Sequence, residues 1–436
     1  MRTHKEYPIQ DVAVFKEKLL SWSQQFYEIA WLDSNNYPQK ESNFDAVLAV
    51  EAFTAIKTDY TEAFNKLLEY QERNKDWLFG YLSYDLKNDV EALSSKNFDG
   101  LHFPDLYFFQ PQKIFLVIGQ KVELRYLKMV DDEMDADMEE ILHFSTEQNN
   151  VDKPLKDSKP REIKARISKQ SYLHKVQEML HHIHRGNIYE ANFCQEFYSE
   201  DHEIQPFQVF KNLNEISSPP FSCFMKLEKN YLLSASPERY IRKTGTKLIS
   251  QPIKGTARRS ADELEDQAIA QALQNDLKER SENVMIVDLV RNDLSKIAKK
   301  GSVKVEELCE IYSFQQVHQM ISTVSAQLEV GIPPVEVLRA TFPMGSMTGA
   351  PKISAMKIIE ELEETKRGLY SGAVGYFMPE GDFDFNVVIR SILYNADRKY
   401  TSFSVGGAIT ARSIPEMEYE ECLLKAKAMR KVLTSI

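Results

Sequence analysis

Three neighbouring segments near the C-terminal end decide the fold class of this 436-residue chain: YSGAVGYFM (370–378), FNVVIRSILY (385–394) and YTSFSVGGAIT (400–410). Each is rich in apolar, β-branched and aromatic residues, which is typical of strands. Similar strand-like segments recur along the chain without the regular strand–helix alternation of a parallel sheet. The pattern therefore predicts an α+β fold.

Further segments along the chain have the composition of strands. They are FDAVLAVEAFTAI (44–56), WLFGYLSYDL (77–86, broken by Gly80), IFLVIGQKVELRYL (114–127), IYEANFCQEF (188–197), FSCFMKL (221–227) and YLLSASPERYI (231–241). Apolar residues at helical spacing predict the helices. We expect them over 12–26, Lys169 to His184, Ala261 to Asp293 and Pro415 to Leu433.

The polar stretch FSTEQNNVDKPLKDSKPRE (144–162) has two prolines and almost nothing to bury. It predicts an exposed connection at 146–162 between an N-terminal region, 1–145, and a second region, 163–436. The strands on either side need not form separate domains. We expect the two regions to interleave into one structural unit.

Composition narrows the class of ligand. The chain is 43% apolar and 27% charged with a formal net charge of −11, which is ordinary for a globular protein but disfavours nucleic acids and anionic membranes as partners. An anionic ligand would need a local cluster of cations. The four cysteines form no CxxC pair, the N-terminus lacks an apolar signal region, and no run of about 20 apolar residues could span a bilayer. These features predict a cytoplasmic protein with reduced cysteines.

Two helical segments carry charged residues at helical spacing. In EMEYEECLLKA, Glu418 and Glu421 precede Lys425, and in KERSENVMIVDLVRND, Lys278 precedes Glu282 by four residues. Each set could be a solvated stripe of ion pairs worth a few tenths of a kcal/mol. Alternatively, carboxylates from two helices could hold Mg²⁺, whose remaining positions water and substrate would fill.

Two glycine-containing motifs could bring the backbone close to a ligand. FPMGSMTGAPK (342–352) is a turn-rich loop with exposed N–H groups and hydroxyls, although a plain structural turn would look the same. VGGAIT (405–410) places two glycines inside a strand, which indicates a bulge or close approach of a ligand. Arg390 lies in the apolar segment VVIRSI and requires an anionic partner, either a protein carboxylate or a ligand.

Two further residues could do chemistry. Glu238, in SASPERYI, could act as a general acid in a cleft or could simply pair with Arg239. Lys254, in QPIKGTARR (251–259), lies between Pro252 and Gly255 at the expected end of a strand. It could be a solvated loop lysine, a charge that holds an anion, or a nucleophile.

The order of nine motifs is more specific than any one of them. SPERY, PIKGTARR, KERSENVMIVDLVRND, VHQMISTV, FPMGSMTGAPK, RGLYSGAVGYF, VVIRSI, VGGAIT and EMEYEECLLKA together resemble the chorismate-utilising enzymes, densely over 165–433 and more loosely before it. The resemblance implies a single large α+β unit of two packed antiparallel sheets flanked by helices, with the active site in a cleft.

The resemblance also implies a substrate site for chorismate, a dianion. Glu282 and Glu421 would hold Mg²⁺ at the ring carboxylate. Tyr376, Arg390 and the backbone of Gly406 and Gly407 would hold the substrate's carboxylates. The residues expected to line the same pocket are Gly255, Thr256, Lys278, Ser346 and Lys425.

Lys254 indicates which reaction to expect. PIKGT is similar to the motif of the family's aminodeoxychorismate synthases, whereas anthranilate synthases typically have alanine at this position. The resemblance implies that Lys254 adds to C2 of chorismate while Glu238 protonates the departing C4 hydroxyl, and that ammonia then replaces the lysine by attack at C4. The lysine must be neutral to attack, which requires a lowered pKa. The product would be 4-amino-4-deoxychorismate, for 4-aminobenzoate and folate synthesis; the alternative is an anthranilate synthase large subunit.

Other features follow from the same resemblance. A separate glutamine amidotransferase subunit would supply ammonia. Ser34, Pro220, Phe221 and Ser222 fall where relatives bind tryptophan, although PPF is equally a plain turn. Two positions depart from the family pattern: Ala408 replaces a glycine, and Glu190 stands where ammonia-using relatives have glutamine and water-using relatives have lysine. The role of Glu190 is open at this point.

Overall fold

The computed structural model describes residues 2–37, 43–145, 162–314 and 317–434. The connection predicted at 146–162, with both of its prolines, lies outside these residues except for Glu162. Twenty strands in the described residues join into one hydrogen-bonded network. They are β1 (Arg2–Pro8), β2 (Glu28–Asp33), β3 (Ala46–Thr58), β4 (Leu78–Leu82), β5 (Leu106–Ile118), β6 (Lys121–Leu127), β7 (Lys164–Ala165), β8 (Glu190–Ser199), β9 (Phe221–Leu227), β10 (Asn230–Ser236), β11 (Arg239–Thr244), β12 (Lys247–Gln251), β13 (Ile253–Arg258), β14 (Lys304–Ser313), β15 (Val317–Gln327), β16 (Gly349–Ala350), β17 (Ala373–Phe377), β18 (Phe383–Val387), β19 (Ser391–Asn395) and β20 (Tyr400–Thr410).

Helices flank this network, and the α+β prediction is confirmed. The α-helices are α1 (Val12–Trp22), α2 (Ala63–Asn74), α3 (Lys87–Val90), α4 (Met134–His143), α5 (Lys169–His184), α6 (Pro206–Ser217), α7 (Glu263–Asn275), α8 (Leu277–Ser295), α9 (Pro334–Thr341), α10 (Lys352–Leu362) and α11 (Pro415–Thr434). Short 3₁₀ turns cover Ser23–Gln25, Tyr84–Leu86, Asp131–Glu133 and Gly345–Met347.

The network divides into two halves, in which all paired strands are antiparallel. The first half has the order β1-β6-β5-β3-β2-β9-β10-β19-β20-β8, with β7 and β16 also paired to β8. The second half has the order β4-β17-β18-β11-β12-β15, with β13 and β14 also paired to β15. The long strands β3 and β5 belong to both halves, since the C-terminal part of β5 pairs with β6 and its N-terminal part with β4.

The alternation of side chains along β2 and β3 explains why two cores form. Ala30, Val47 and Ala49 point into one apolar cluster, which they share with aromatic residues of the second half. Their neighbours Trp31 and Leu48 point to the opposite face, where helices such as α1, α5 and α11 cover the sheet. Successive strand residues face opposite sides, so one apolar run serves both layers.

The two sequence regions share this network. Strand β2 pairs with β9, and β4 pairs with β17, so hydrogen bonds join the region before residue 146 to the region after residue 162. The four cysteines are buried and form no disulfide. Within the described ranges, no helix is both long enough and apolar enough to cross a membrane.

Several predicted elements are wrong in detail. The segments 114–127 and 231–241 each form two strands, β5 with β6 and β10 with β11, and the strand expected over 77–86 ends at Leu82. The helix expected from Ala261 to Asp293 is broken at Asp276, whose extended backbone ends α7 and whose carboxylate accepts hydrogen bonds from the N–H groups of Lys278 and Glu279 at the start of α8. The strand expected over 385–394 is two strands, β18 and β19. Arg390 lies in the break between them with φ +51°, in the left-handed region that most residues avoid.

That break is one of the places where the chain passes between the halves, and another such place lies beside it. Strand β10 belongs to the first half and β11 to the second, so the chain crosses at Pro237 and Glu238. The chain crosses back between β18 and β19, at 388–390. Two backbone hydrogen bonds join the crossings: Val387 N–H donates to Glu238 O at 3.0 Å, and Ala235 N–H donates to Arg390 O at 3.2 Å. Glu238 and Arg390 are thereby fixed side by side between the halves.

Candidate active site

Glu238 is a buried carboxyl group at the first crossing, with 4% of its surface exposed. Burial raises its pKa to about 7, against a hydrogen bond from Ser346, the positive charges of Lys254 and Arg390, and a hydrogen bond from the backbone of Ile253. A carboxyl group with this pKa is partly protonated at neutral pH and can donate a proton, as a general acid must. Arg239, the alternative partner considered for Glu238, binds Asp384 through two nitrogens instead.

Arg390 faces Glu238 from the second crossing. Burial lowers the pKa of its guanidinium, and the nearby Glu238 opposes that shift. No carboxylate among the described residues forms an ion pair with Arg390 at 4 Å or less. A largely buried guanidinium without an ion pair is a site for an anion, because its desolvation is otherwise uncompensated.

Lys254 approaches Glu238 and Arg390 from β13, a strand of the second half. We call the space between these residues the cleft. The pairing of β13 with β15 shifts register at this point, and Gly255 has φ +93°, which favours glycine. Asn283 of α8 fixes the backbone, since its side-chain amide donates to Lys254 O at 3.3 Å and to Met320 O at 3.2 Å. The lysine side chain is only 13% exposed, which rules out a freely solvated loop lysine.

Carboxylates surround the Lys254 ammonium. Its Nζ lies 3.3 Å from Glu190 Oε1. Burial lowers the pKa of Lys254, but the charges of Glu190, Glu282 and Glu238 outweigh burial and hold the pKa above the ordinary value. The expectation of a lowered pKa is therefore not met in the unliganded pocket. Lys254 is an ammonium ion there, and it must lose a proton before it can attack an electrophile.

Glu190 comes from the first half of the network, at the start of β8. It pairs with Ala350 of β16 on one side and with Thr410 of β20 on the other. Its side chain is 1% exposed in the ion pair with Lys254, and its second oxygen, Oε2, is buried without a hydrogen-bond partner. The Lys254–Glu190 contact thus bridges the two halves across the cleft.

A second charged group lies where α8 meets α11. Glu282 is 8% exposed, its Oε1 is buried without a hydrogen bond, and burial raises its pKa to about 7. Glu421 is more exposed and is paired with Lys425 at 2.7 Å. Burial works to raise the pKa of Glu421, but Lys425 outweighs it and the pKa lies below the ordinary value. Lys278 lies 3.9 Å from Glu282 and also feels the charges of Glu418 and Glu421, so the two helices present one mixed cluster rather than separate solvated stripes.

The resemblance implies Mg²⁺ at this cluster. In the described residues, no three His, Cys, Asp or Glu side chains gather at metal-binding distance. Mg²⁺ commonly takes only one or two protein carboxylates together with water and substrate oxygens, so that finding does not conflict with Glu282 and Glu421 as ligands. The unbonded, buried Oε1 of Glu282 is an oxygen donor that a cation would satisfy. The residues present therefore fit a two-carboxylate magnesium site.

The two glycines of β20 differ in what surrounds them. Gly406 packs directly on β8, where a Cβ atom would lie against Cys194 Sγ and 2.7 Å from Phe193 O. A Cβ atom on Gly407 would instead face the charged cluster, 3.4 Å from Glu418 Oε2 and 3.7 Å from Glu421 Oε1. Lys425 Nζ donates to Gly406 O at 3.0 Å, which joins this strand to α11.

The loop that carries Ser346 is held from behind by Arg367. This buried arginine donates to Met347 O at 2.6 Å and to Asn192 O at 2.7 Å, and its charge is paired with Glu363. The loop and β8 therefore keep a fixed separation. That constraint positions Ser346 against Glu238 and β16 against Glu190.

Tyr376 does not lie with these residues. Its ring packs against Phe44, Trp77 and Phe79, and it lines a second cavity. The tyrosine near the glycine strand is Tyr370, whose hydroxyl lies 3.6 Å from Cys194 Sγ, the atom that packs on Gly406. Strand alternation on β17 turns the Tyr376 side chain into the space between the halves, and a contact of Tyr376 with the substrate's carboxylates stays a prediction.

The second cavity brings together the residues expected to form a tryptophan pocket. Its lining includes Ser34, Pro220, Phe221 and Ser222, together with Tyr376 and Asn386. The cavity and the open solvent at its mouth together occupy about 450 Å³. Asn386 Oδ1 is buried without a hydrogen-bond partner and is available to a polar ligand group.

The remaining predicted residues, and some that were missed, surround Lys254 and the charged cluster. Thr256 follows Gly255 on β13 and is exposed. A Cβ atom on Gly255 would lie 3.2 Å from Glu279 Oε2, so Glu279 also faces this strand. Glu279 and Asn283 were not predicted from sequence. Each directly follows a predicted residue on α8, Lys278 and Glu282, and the two are four residues apart, on one face of the helix.

We predict that the adjacent glycines respond differently to alanine. Gly406→Ala should lower the free energy of unfolding by several kcal/mol, because its Cβ would collide with backbone and a buried thiol that cannot move freely. Gly407→Ala should change it by less than about 1 kcal/mol, because its Cβ finds ordinary van der Waals contacts. Urea denaturation of both variants measures the difference, and equal losses would contradict the described packing.

We predict that Glu238→Gln stabilises the protein at alkaline pH. The pKa of Glu238 is about 7 when folded, above its ordinary 4.5, so its contribution to stability is complete below pH 4.5 and is lost as the pH rises through 7. The free energy of unfolding of the variant minus that of wild type should be larger at pH 8 than at pH 4.5, by on the order of 3 kcal/mol. Denaturation at both pH values tests this, with Glu200→Gln, an exposed glutamate, as the control. A pH-independent difference would show that Glu238 is not a buried, shifted acid.

Comparison with known proteins identifies the family. A model described as chorismate binding enzyme matches residues 27–431. Aminodeoxychorismate synthase component 1 of Bacillus subtilis is 32% identical over 384 residues, which cover 87% of this chain and 80% of the relative. Anthranilate synthase component 1 of Thermus thermophilus is 34% identical over 361 residues, or 81% and 76% of the two chains. Aminodeoxychorismate synthase component 1 of Escherichia coli is 40% identical over 267 residues, or 61% and 58%.

Solved structures agree. The crystal structure of anthranilate synthase component I from Streptococcus pneumoniae superimposes with a TM-score of 0.74 and 26% identity, over 90% of this chain and 93% of that chain. The menaquinone-specific isochorismate synthase of Escherichia coli has the same fold, with a TM-score of 0.74 at 17% identity, over 99% and 94% of the two chains. The resemblance seen in the ordered motifs is confirmed, and the chain belongs to the family of chorismate binding enzymes.

Proposed function

We propose that this chain converts chorismate and ammonia to 4-amino-4-deoxychorismate. The observation that carries the proposal is the position of Lys254: a buried primary amine fixed in the cleft between Glu190, Glu238 and Glu282. Relatives with this activity match the chain at 32% to 40% identity. Anthranilate synthase is the alternative, since a relative of that name is 34% identical.

Binding of the dianion requires positive charge in the cleft. Among the described residues, no carboxylate lies at ion-pair distance from Arg390, which would take one substrate carboxylate. Backbone N–H groups near Gly406 and Gly407 and the ammonium groups of Lys278 and Lys425 would hold the other end of the dianion. This local cluster accounts for an anionic substrate on a protein whose net charge is −11.

Catalysis would proceed in two displacements. The neutral amine of Lys254 attacks C2, both ring double bonds shift, and the C4–O bond breaks as Glu238 delivers its proton, so water leaves rather than hydroxide. Ammonia then attacks C4, the double bonds shift back, and the C2–N bond to Lys254 breaks. Glu238 suits the first step because its carboxyl keeps a proton near neutral pH.

Magnesium fits the proposal through Glu282 and Glu421. When bound, Mg²⁺ would supply positive charge beside the ring carboxylate. Loss of the cation would leave Glu282 with its buried, unsatisfied oxygen.

Ammonia must reach the cleft from a separate source. The designation component 1 in the names of several relatives implies a second subunit in those systems. We propose that a glutamine amidotransferase subunit supplies ammonia to this chain and that the enzyme works in the cytoplasm, in 4-aminobenzoate and folate synthesis.

We predict that purified protein with chorismate, Mg²⁺ and ammonium chloride yields 4-amino-4-deoxychorismate, identified by mass spectrometry. Lys254→Ala should bind chorismate but lose at least 100-fold in turnover, because the covalent route disappears. A mass increase on a peptide containing Lys254 should be trapped in the wild type when ammonia is withheld.

Lys278→Ala is the control variant for Lys254→Ala. It also removes one lysine charge from the pocket, but it should act mainly through chorismate affinity. Fluorescent anthranilate as the product would refute the proposed reaction. Wild-type turnover by Lys254→Ala would refute the covalent role of the lysine while leaving the reaction intact.

We also propose that the second cavity binds tryptophan. Its apolar walls, Phe44 and Pro220 among them, suit an indole ring, and Asn386 Oδ1 can accept a hydrogen bond from an α-ammonium group. Tyr376 belongs to this site, where its ring closes one wall of the cavity.

We predict that L-tryptophan raises the melting temperature of the protein and that Ser34→Tyr, which fills the cavity, abolishes the shift. Linkage relates the expected size to occupancy: about 2.7 kcal/mol of stabilisation at 100 times Kd. L-Phenylalanine and D-tryptophan serve as ligand controls. An equal response to all three amino acids, or an unchanged response in Ser34→Tyr, would place tryptophan elsewhere.

A further inference from the structure

Glu190 has two oxygen atoms in different situations. Oε1 contacts the Lys254 ammonium at 3.3 Å, whereas Oε2 is buried and has no hydrogen-bond partner in the part of the chain that the structure describes. A buried carboxylate oxygen without a partner is costly, and native proteins pair nearly all such atoms. Strand β8 holds the group rigidly, because Glu190 is paired on both sides, with Ala350 and with Thr410. A fixed, half-satisfied carboxylate beside a reactive amine indicates a role in the reaction.

Lys254 needs a proton acceptor if it is to attack a carbon atom. Three carboxylates dominate its electrostatic environment: Glu190, Glu282 and Glu238. Glu238 must hold its own proton to release water, and Glu282 is the proposed ligand of a cation. Glu190 is also the one for which an ion-pair distance to Nζ is found among the described residues. It is therefore the acceptor within reach.

We propose that Glu190 is the catalytic base for the amine nucleophiles of this enzyme, accepting the Lys254 proton through Oε1 and hydrogen-bonding the incoming ammonia through Oε2. The inference rests on the proposed function. It gives a chemical role to a residue that departs from the pattern of the family, whose ammonia-using members have glutamine at this position and would need another acceptor for a lysine proton.

The proton balance is closed at each step. Lys254 ammonium gives one proton to Glu190, and the neutral amine then forms the Nζ–C2 bond while the C4–O bond breaks. Glu238 gives its proton to the leaving oxygen, which departs as water. Ammonia next forms the bond to C4, and Lys254 leaves C2 as a neutral amine. Glu190 returns its proton to Lys254, which restores the ion pair, and Glu238 recovers a proton from the product ammonium group.

The test compares Glu190→Gln with Glu190→Asp. Glutamine keeps the size and the hydrogen-bonding oxygen but cannot accept a proton, so kcat should fall by at least 100-fold with little change in the KM for chorismate. Aspartate is shorter but keeps the base, and it should retain at least tenfold more activity than glutamine. A purely structural role would give the reverse order, because glutamine is the better steric match. Glu200→Gln serves as the control for loss of one surface charge.

The pH profile gives a second readout. Without its base, Glu190→Gln must rely on Lys254 that is already neutral, so below the pKa of Lys254 in this variant its rate at constant free ammonia should rise about tenfold per pH unit more steeply than the wild-type rate. The charged groups facing Lys254 are on three elements and one crossing: Glu190 on β8, Glu279 and Glu282 on α8, Glu421 on α11, and Glu238.

The outcomes separate the two proposals. If wild type forms 4-amino-4-deoxychorismate and Glu190→Gln keeps more than a third of its kcat, or if its pH profile parallels wild type, Glu190 is not the base. Slow formation of the Lys254 adduct by Glu190→Gln in a single turnover supports it. Anthranilate as the wild-type product overturns the proposed function and this inference together, and it is recognised by the product alone.

Discussion

The two backbone hydrogen bonds between the chain crossings are the constraint on which the site depends. Val387 N–H bonds to Glu238 O, and Ala235 N–H bonds to Arg390 O, so the chain leaves and re-enters the first half of the network at one place. An acid and an unpaired guanidinium are fixed there on backbone rather than on flexible loops. Side chains carried by backbone that is hydrogen-bonded in this way lose little further freedom on binding, which favours precise positioning of substrate. The left-handed backbone of Arg390 is the local cost of that arrangement.

The charged groups of the cleft reduce stability in exchange for chemical reactivity. Glu190 Oε2 and Glu282 Oε1 are buried without hydrogen bonds, and burial raises the pKa of both Glu238 and Glu282 to about 7. Each feature lowers the stability of the unliganded protein, and each is relieved by a cation, a proton or a substrate group. Large apolar cores on both faces of the first half supply the stability that tolerates such a site.

Local elements were predictable from sequence because local interactions determine them. The helix Lys169–His184 has the predicted bounds, since Ser168 caps its first turn and apolar residues recur at helical spacing. The break at Arg390 was not predictable, because FNVVIRSILY has the composition of one strand and only pairing with distant β10 and β11 bends it. The surroundings of Tyr376 were not predictable for a similar reason: the segment contains two tyrosines, Tyr370 and Tyr376, and the face of each depends on tertiary packing. The contact between Glu190 and Lys254 was not predictable either, because nothing in IYEANFCQEF indicates which distant side chain Glu190 contacts.

The Lys254–Glu190 pair resolves a conflict that any buried lysine nucleophile faces. A neutral amine in an apolar pocket would be ready to attack, but nothing would hold it in place before the substrate arrives. An ammonium ion held by a carboxylate is well positioned but cannot attack. Direct contact between the two lets one proton transfer convert the held state into the reactive state, without movement of either backbone. The proton transfer becomes productive once the dianionic substrate has entered the cleft, because only then do Arg390 and the lysines of the cluster hold the ring beside Lys254. A lysine with a permanently lowered pKa would lack this control, so the raised pKa of Lys254 is consistent with its role as a nucleophile rather than evidence against it.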